Sequence, residues 1–153
     1  MPHTLIVGYG NVFRGDDGAG CLVAERLQEK IVDPEIEILS QQQLLPELME
    51  TISRAARVIF IDASVNGGRK VHRIPLRPGP ACSRFTHHVT PESLLAGAQA
   101  LYGHTPEAVL YAIPGRNFEN GQELSPSVSR AIDELVSTLE KELGSRADPA
   151  SAR

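Results

Sequence analysis

The stretch Thr4-Leu5-Ile6-Val7-Gly8-Tyr9-Gly10-Asn11-Val12-Phe13-Arg14-Gly15-Asp16-Asp17-Gly18-Ala19-Gly20-Cys21-Leu22 reads as a strand, a glycine-rich loop and the opening of a helix. Thr4 to Val7 is apolar and β-branched, whereas from Cys21 onward apolar residues return every three to four positions, at Leu22, Ala24, Leu27 and Ile31. Further runs of strand length follow at Glu35 to Leu39, Val58 to Ile61 and Val109 to Ile113. Between and after them the helical period recurs at Leu44, Leu45, Leu48 and Ile52, at Leu94, Leu95, Ala98 and Leu101, and at Val128, Ile132, Leu135, Leu139 and Leu143. Such alternation predicts an α/β fold of three α/β/α layers, with a twisted, mostly parallel central sheet of about five strands and helices on both faces. Lys70 to Leu76 supplies the fifth strand, and Asn66-Gly67-Gly68 before it suits a hairpin or a sharp reversal. A single domain over residues 1–143 is expected, with 144–153, which lacks periodicity, as a frayed tail.

Composition bounds the function. The chain has 153 residues, 41% of them apolar, so its core needs neither a metal nor a disulfide. Fifteen basic residues stand against nineteen acidic ones, without a lysine or arginine run, which argues against nucleic-acid and membrane partners. No apolar stretch approaches the length of a membrane span. The N-terminus enters a strand without a leader pattern, so a cytoplasmic monomer is expected. Cys21 and Cys82 stand apart, outside any metal-ligand spacing, and are expected to be reduced.

The chemistry concentrates at strand ends, where open α/β sheets bind ligands. A dinucleotide loop fails on spacing, because the third glycine of GxGxxG would fall at Phe13, and on charge, because Asp16 and Asp17 would repel a pyrophosphate. One of these aspartates is expected to cap the first helix, leaving the other as a spare carboxylate. Asp62 closes the Val58–Ile61 run and is expected to reach the same crevice. Thr86-His87-His88 precedes a helix whose start is marked by Thr90 and Pro91. Two carboxylates and an imidazole form a mixed oxygen and nitrogen set suited to a borderline divalent ion such as Ni, Zn or Fe. His3, His72 and His104 are read as ordinary surface histidines.

Gly8-x-Gly10-Asn11, Asp16-Asp17-Gly18-x-Gly20, a strand ending Asp62-Ala63, and Thr86-His87 ahead of a Leu-Leu helix together resemble the [NiFe]-hydrogenase maturation proteases, over about Leu5 to Leu143. The resemblance implies an endopeptidase that removes the C-terminal extension of a [NiFe]-hydrogenase large-subunit precursor after nickel insertion. It implies Asp17, Asp62 and His87 as the nickel-binding and catalytic residues, with His88 the competing histidine. Gly8, Gly10 and Asn11 are the expected cofactor-binding positions, the glycines serving backbone geometry and the close approach of the substrate's tail or metal-site loop rather than phosphate binding. Nickel then arrives with the substrate, and the free enzyme carries none.

No serine or cysteine nucleophile stands in a recognisable setting: Ser64 sits in no nucleophile elbow, and Cys21 is expected to point inward. No HExxH helix is present to hold a catalytic zinc. A nickel-polarised carbonyl or water, with Asp16 or Asp17 as base, is one route to hydrolysis. The alternative reading is a non-proteolytic nucleotide- or metal-binding α/β module.

Overall fold

Apolar residues along the strands alternate between two faces, and each face collects its own pair of helices. The computed structural model describes residues 3–65, 68–79 and 89–147. β1 (Thr4–Tyr9), β2 (Ile36–Gln41), β3 (Arg57–Ser64), β4 (His72–Leu76) and β5 (Glu107–Pro114) form one sheet in the order β2-β1-β3-β5-β4. All neighbours pair in parallel except β4, which runs antiparallel to β5. Leu5, Val7, Val58 and Phe60 pack beneath α2 (Leu48–Ser53) and α3 (Pro91–Tyr102). Ile6, Ile59 and Ile61 face the opposite way, toward α1 (Ala19–Lys30) and α4 (Pro126–Ala147). This is the three-layer α/β/α architecture that the alternation predicts.

Three elements differ from expectation. The Leu44–Ile52 period yields a helix only from Leu48, because Pro46 disfavours helical geometry at Leu45; the first turn bonds, from Leu48 N–H to Leu45 O and Met49 N–H to Pro46 O, begin there. Leu44 and Leu45 are therefore loop residues at the carboxyl edge. β4 is not the hairpin partner of β3 that the Asn66-Gly67-Gly68 turn suggests: β5 inserts between them. β5 is apolar on both faces and needs neighbours on both sides, whereas β4 is largely exposed and contains Pro75, which suits an edge. Finally, α4 continues past Leu143 to Ala147 rather than ending where the tail was placed. Gly144 weakens a helix by only about 1 kcal/mol relative to Ala, too little to stop one followed by favourable residues. Residues 148–153 lie outside the described residues.

The start of α3 follows the sequence closely. The Thr90 side chain accepts from Ser93 N–H at 3.1 Å, the Ser93 hydroxyl accepts from Thr90 N–H at 2.9 Å, and Pro91 occupies the first turn. Among the described residues no helix is long and apolar enough to cross a membrane.

Candidate active site

The chain leaves β1 for β2 on one side and later returns to β3 on the other, so the carboxyl ends of β1 and β3 flank a topological switch point. Asp62 shares the parity of Val58 and Phe60 along β3, and Tyr9 that of Leu5 and Val7 along β1, which aims both toward the α2/α3 side. There the Tyr9 ring meets Phe60 edge-on, with centroids 6.5 Å apart, and its hydroxyl hydrogen-bonds the Asp62 carboxylate. Asp62 Oδ1 also accepts from Ala63 N–H at 2.8 Å. Asp17 stands on a 3-10 turn (Gly15–Gly18) ahead of α1, its Oδ2 accepting from Asn11 N–H at 2.9 Å. Tyr9, Gly10, Asp17 and Asp62 share one open cavity of about 560 Å³, closed on the far side by the Gln42–Pro46 loop and Val89. The sequence thus places Asp17 and Asp62 correctly in a common crevice.

The crevice favours a cation. Burial pushes the Asp62 carboxyl up to about 6, against the bonds from Ala63 N–H and Tyr9, and the nearby Asp17 charge adds to the rise. Burial, and then the Asp62 charge, push the Tyr9 hydroxyl up, so it remains a donor. No lysine, arginine or histidine lines this cavity among the described residues. Tyr9 was not singled out from the sequence. Its signal was the two-residue alternation Leu5, Val7, Tyr9 running parallel to Val58, Phe60, Asp62.

Asp16 overturns the capping expectation. Neither aspartate side chain caps the 3-10 turn, and α1 begins at Ala19 after an N-cap residue, Gly18, that offers no side-chain cap. Asp16 is instead wholly buried: its Oδ2 accepts from Arg116 N–H (2.7 Å), Asn117 N–H (2.9 Å) and Ser125 Oγ (2.7 Å), and its Oδ1 from Ser125 N–H (2.8 Å). Burial alone would raise its pKa, but these bonds outweigh it and hold the carboxyl below its ordinary range. Pinned in this way, Asp16 is not available as a base. It joins the first loop to the 115–125 loop, together with the Gly15–Gly121 and Gly121–Phe13 backbone bonds.

The glycines are occupied by the protein itself. A Cβ at Gly8 would come within 2.1 Å of Gly20 O, and one at Gly20 within 2.2 Å of Ile61 O, so α1 starts directly on the strand ends. Gly10 adopts φ of 137°, a conformation that favours glycine, and lines the cavity. The Asn11 side chain is spent locally, its Oδ1 accepting from Phe13 N–H at 2.9 Å. Cys21 is buried with its Sγ 3.1 Å from Gln41 O and 3.2 Å from Gly10 O, and burial pushes its thiol pKa up, the reverse of an activated nucleophile.

His87, His88 and Cys82 lie outside the described residues. Among the described residues no group of three His, Cys, Asp or Glu side chains could hold a metal ion. The chain emerges from that segment at Val89, on the cavity wall.

No family model matches the chain. A Methanocaldococcus jannaschii protein named as a candidate hydrogenase maturation protease is 24% identical over 143 residues, covering 88% of this chain and 92% of its own. The crystal structure of the [NiFe] hydrogenase maturation protease HycI from Thermococcus kodakarensis superposes with a TM-score of 0.74 at 25% identity, covering 91% of this chain and 90% of its own. The hydrogenase maturating endopeptidase HybD from E. coli shares the fold with the same TM-score of 0.74 at 19% identity, over 94% and 93% of the two chains. Sequence and fold thus agree with the resemblance carried by the Gly8–Gly20 loop and Asp62: the chain is similar in both to proteins named as hydrogenase maturation proteases.

Proposed function

We propose that this protein is an endopeptidase that removes the C-terminal extension of a [NiFe]-hydrogenase large-subunit precursor once nickel is in place, acting as a cytoplasmic monomer. The observation that carries this reading is the convergence of Asp17 and Asp62 on one open cavity at the β1/β3 switch point, with no cation of the chain's own lining it among the described residues. Two carboxylates held this way attract a divalent ion, and binding it would restore the ionised form that burial of Asp62 disfavours. His87 completes the proposed set, because an imidazole beside two carboxylates suits nickel. Nickel belongs to the substrate in this scheme, so precursor without metal makes fewer contacts in the crevice and is left uncut. That is discrimination by differential binding.

Tyr9 orients Asp62 through its hydroxyl, Asn11 N–H orients Asp17, and Gly10 leaves space for the approaching chain. The test is incubation with nickel-loaded and nickel-free precursor, read by mass spectrometry. Loss of the C-terminal fragment from the loaded form alone is expected; equal cutting of both forms would remove the nickel checkpoint. The nucleotide-binding alternative predicts saturable ATP or NAD binding lost in Gly10→Val, and the two crevice carboxylates argue against it.

A further inference from the structure

Between Asp62 and Glu92 the chain holds Arg69, Lys70, Arg73, Arg77 and Arg84 and no acidic residue, so the remaining sequence carries ten basic against nineteen acidic side chains. Arg84 lies outside the described residues; the other four are exposed on β4 and its two flanks. None of the four pairs with a carboxylate among the described residues, whereas Arg26, Lys30, Arg54 and Arg57 each do. β4 is an edge strand, and charged side chains with a proline are a common guard against unwanted strand pairing. That guard concerns the strand itself, where only Arg73 falls, whereas Arg69, Lys70 and Arg77 flank it. An otherwise acidic chain that places only cations here has a feature the guard does not explain.

The position of the strip is informative. His72 pairs with Ala112, which pairs with Asp62, so the start of β4 lies in register with the candidate site, two strand spacings or about 10 Å away; from there β4 runs antiparallel to β5 and away from the site, to Leu76 opposite Ala108. Arg116 Nη2 donates to Gly68 O at 3.0 Å, tying the approach to β4 to the loop that Asp16 pins. The cationic edge therefore starts near the level of the acidic crevice, at Arg69 and Lys70, and leads away from it through Arg73 to Arg77.

We propose that the β4 edge, through Arg69, Lys70, Arg73 and Arg77, docks an acidic face of the protein substrate whose tail enters the Asp17–Asp62 crevice; this rests on the endopeptidase reading above. The pairing is through side-chain charge, because Pro75 removes one backbone donor from the edge and disfavours addition of a further strand. A cationic strip next to an anionic pocket orients an acidic partner and keeps its acidic face away from the carboxylates, which raises the rate of productive encounter.

The experiment compares full-length wild type with R69E/K70E/R73E/R77E and with the neutral R69Q/K70Q/R73Q/R77Q. The charge-reversed edge remains guarded against aggregation, so a pure guard predicts no change in binding. Binding to immobilised nickel-loaded precursor is measured at low and high salt, alongside cleavage, with thermal unfolding as a check on the fold. Docking predicts a Kd and KM raised about tenfold or more at low salt by reversal, less by neutralisation, a flattened salt dependence and a kcat close to wild type. Unchanged Kd and KM in the reversed variant would overturn the docking surface while wild-type cleavage upholds the endopeptidase reading. Salt-dependent, strip-dependent precursor binding without cleavage would uphold the docking surface and remove the endopeptidase. Tighter strip-dependent binding of duplex DNA or phosphatidylserine vesicles than of precursor would overturn the proposal in favour of another polyanion.

Discussion

Asp16 and Asp62 are both carboxylates at the carboxyl edge of one sheet, and their environments drive them in opposite directions. Asp16 is the more deeply buried, yet its carboxyl is held below the ordinary range, while the partly exposed Asp62 is pushed up to about 6. The difference lies in what burial is accompanied by. Asp16 receives four hydrogen bonds from three residues of a distant loop, whereas Asp62 receives one backbone bond and the Tyr9 hydroxyl and looks across at the charge of Asp17. One carboxylate is used as a fastener, and the other keeps fewer hydrogen bonds and stands where a ligand can reach it.

That contrast breaks most visibly in activity. Asp17→Ala, Asp62→Ala and His87→Ala should each abolish nickel-dependent precursor processing with the fold intact by circular dichroism and unfolding temperature. Processing by any one of them at the wild-type rate would remove that residue from the site. Asp16→Ala should act on the other quantity: it strands three buried N–H groups and a hydroxyl, and is expected to lower unfolding free energy by about 3 kcal/mol or more in urea melts.

The pH dependence sharpens the same opposition. The depressed pKa of Asp16 means that its stabilisation is complete above the unfolded value of 3.8 and is lost as pH falls through the lower folded value. For Asp62, ionisation in the folded state is disfavoured, so stability is lost as pH rises from its ordinary 3.8 through about 6. Asp62→Asn should therefore gain on wild type as pH rises from about 4 to about 6 and keep that gain above it, and the deficit of Asp16→Asn should shrink toward acid. Parallel pH profiles for the two variants would contradict the assignment. The smallest effect is expected at His88→Ala, which should keep most of the processing activity and change stability by no more than about 0.5 kcal/mol.

Much of this was legible in the sequence because it depends on local periodicity. The apolar run Val58–Ile61 placed Asp62 at the carboxyl end of a strand, and Thr90-Pro91 marked the start of α3. The role of Asp16 was not legible, because its partners lie about one hundred residues away and three of its four bonds come from backbone N–H groups, which carry no side-chain signature. Local reasoning offered helix capping, and a remote loop won. Likewise, the turn before β4 suggested a neighbour in sequence, while the doubly apolar β5 required the interior position.

The insertion of β5 between β3 and β4 has a consequence for synthesis on the ribosome. Until residue 114 has emerged, β3 has an open edge and β4 lacks β5, the strand it pairs with among the described residues. The residues that fasten Asp16 come later still, at Arg116, Asn117 and Ser125, and α4 covers the Ile6–Ile59 face last. Sheet completion must therefore wait for contacts remote in sequence, the kind that slow folding. A nascent or truncated chain lacking its final quarter would have Asp17 and Asp62 but not the Arg116, Asn117 and Ser125 bonds that anchor the loop carrying Asp17, so the crevice should be complete only when translation is nearly finished.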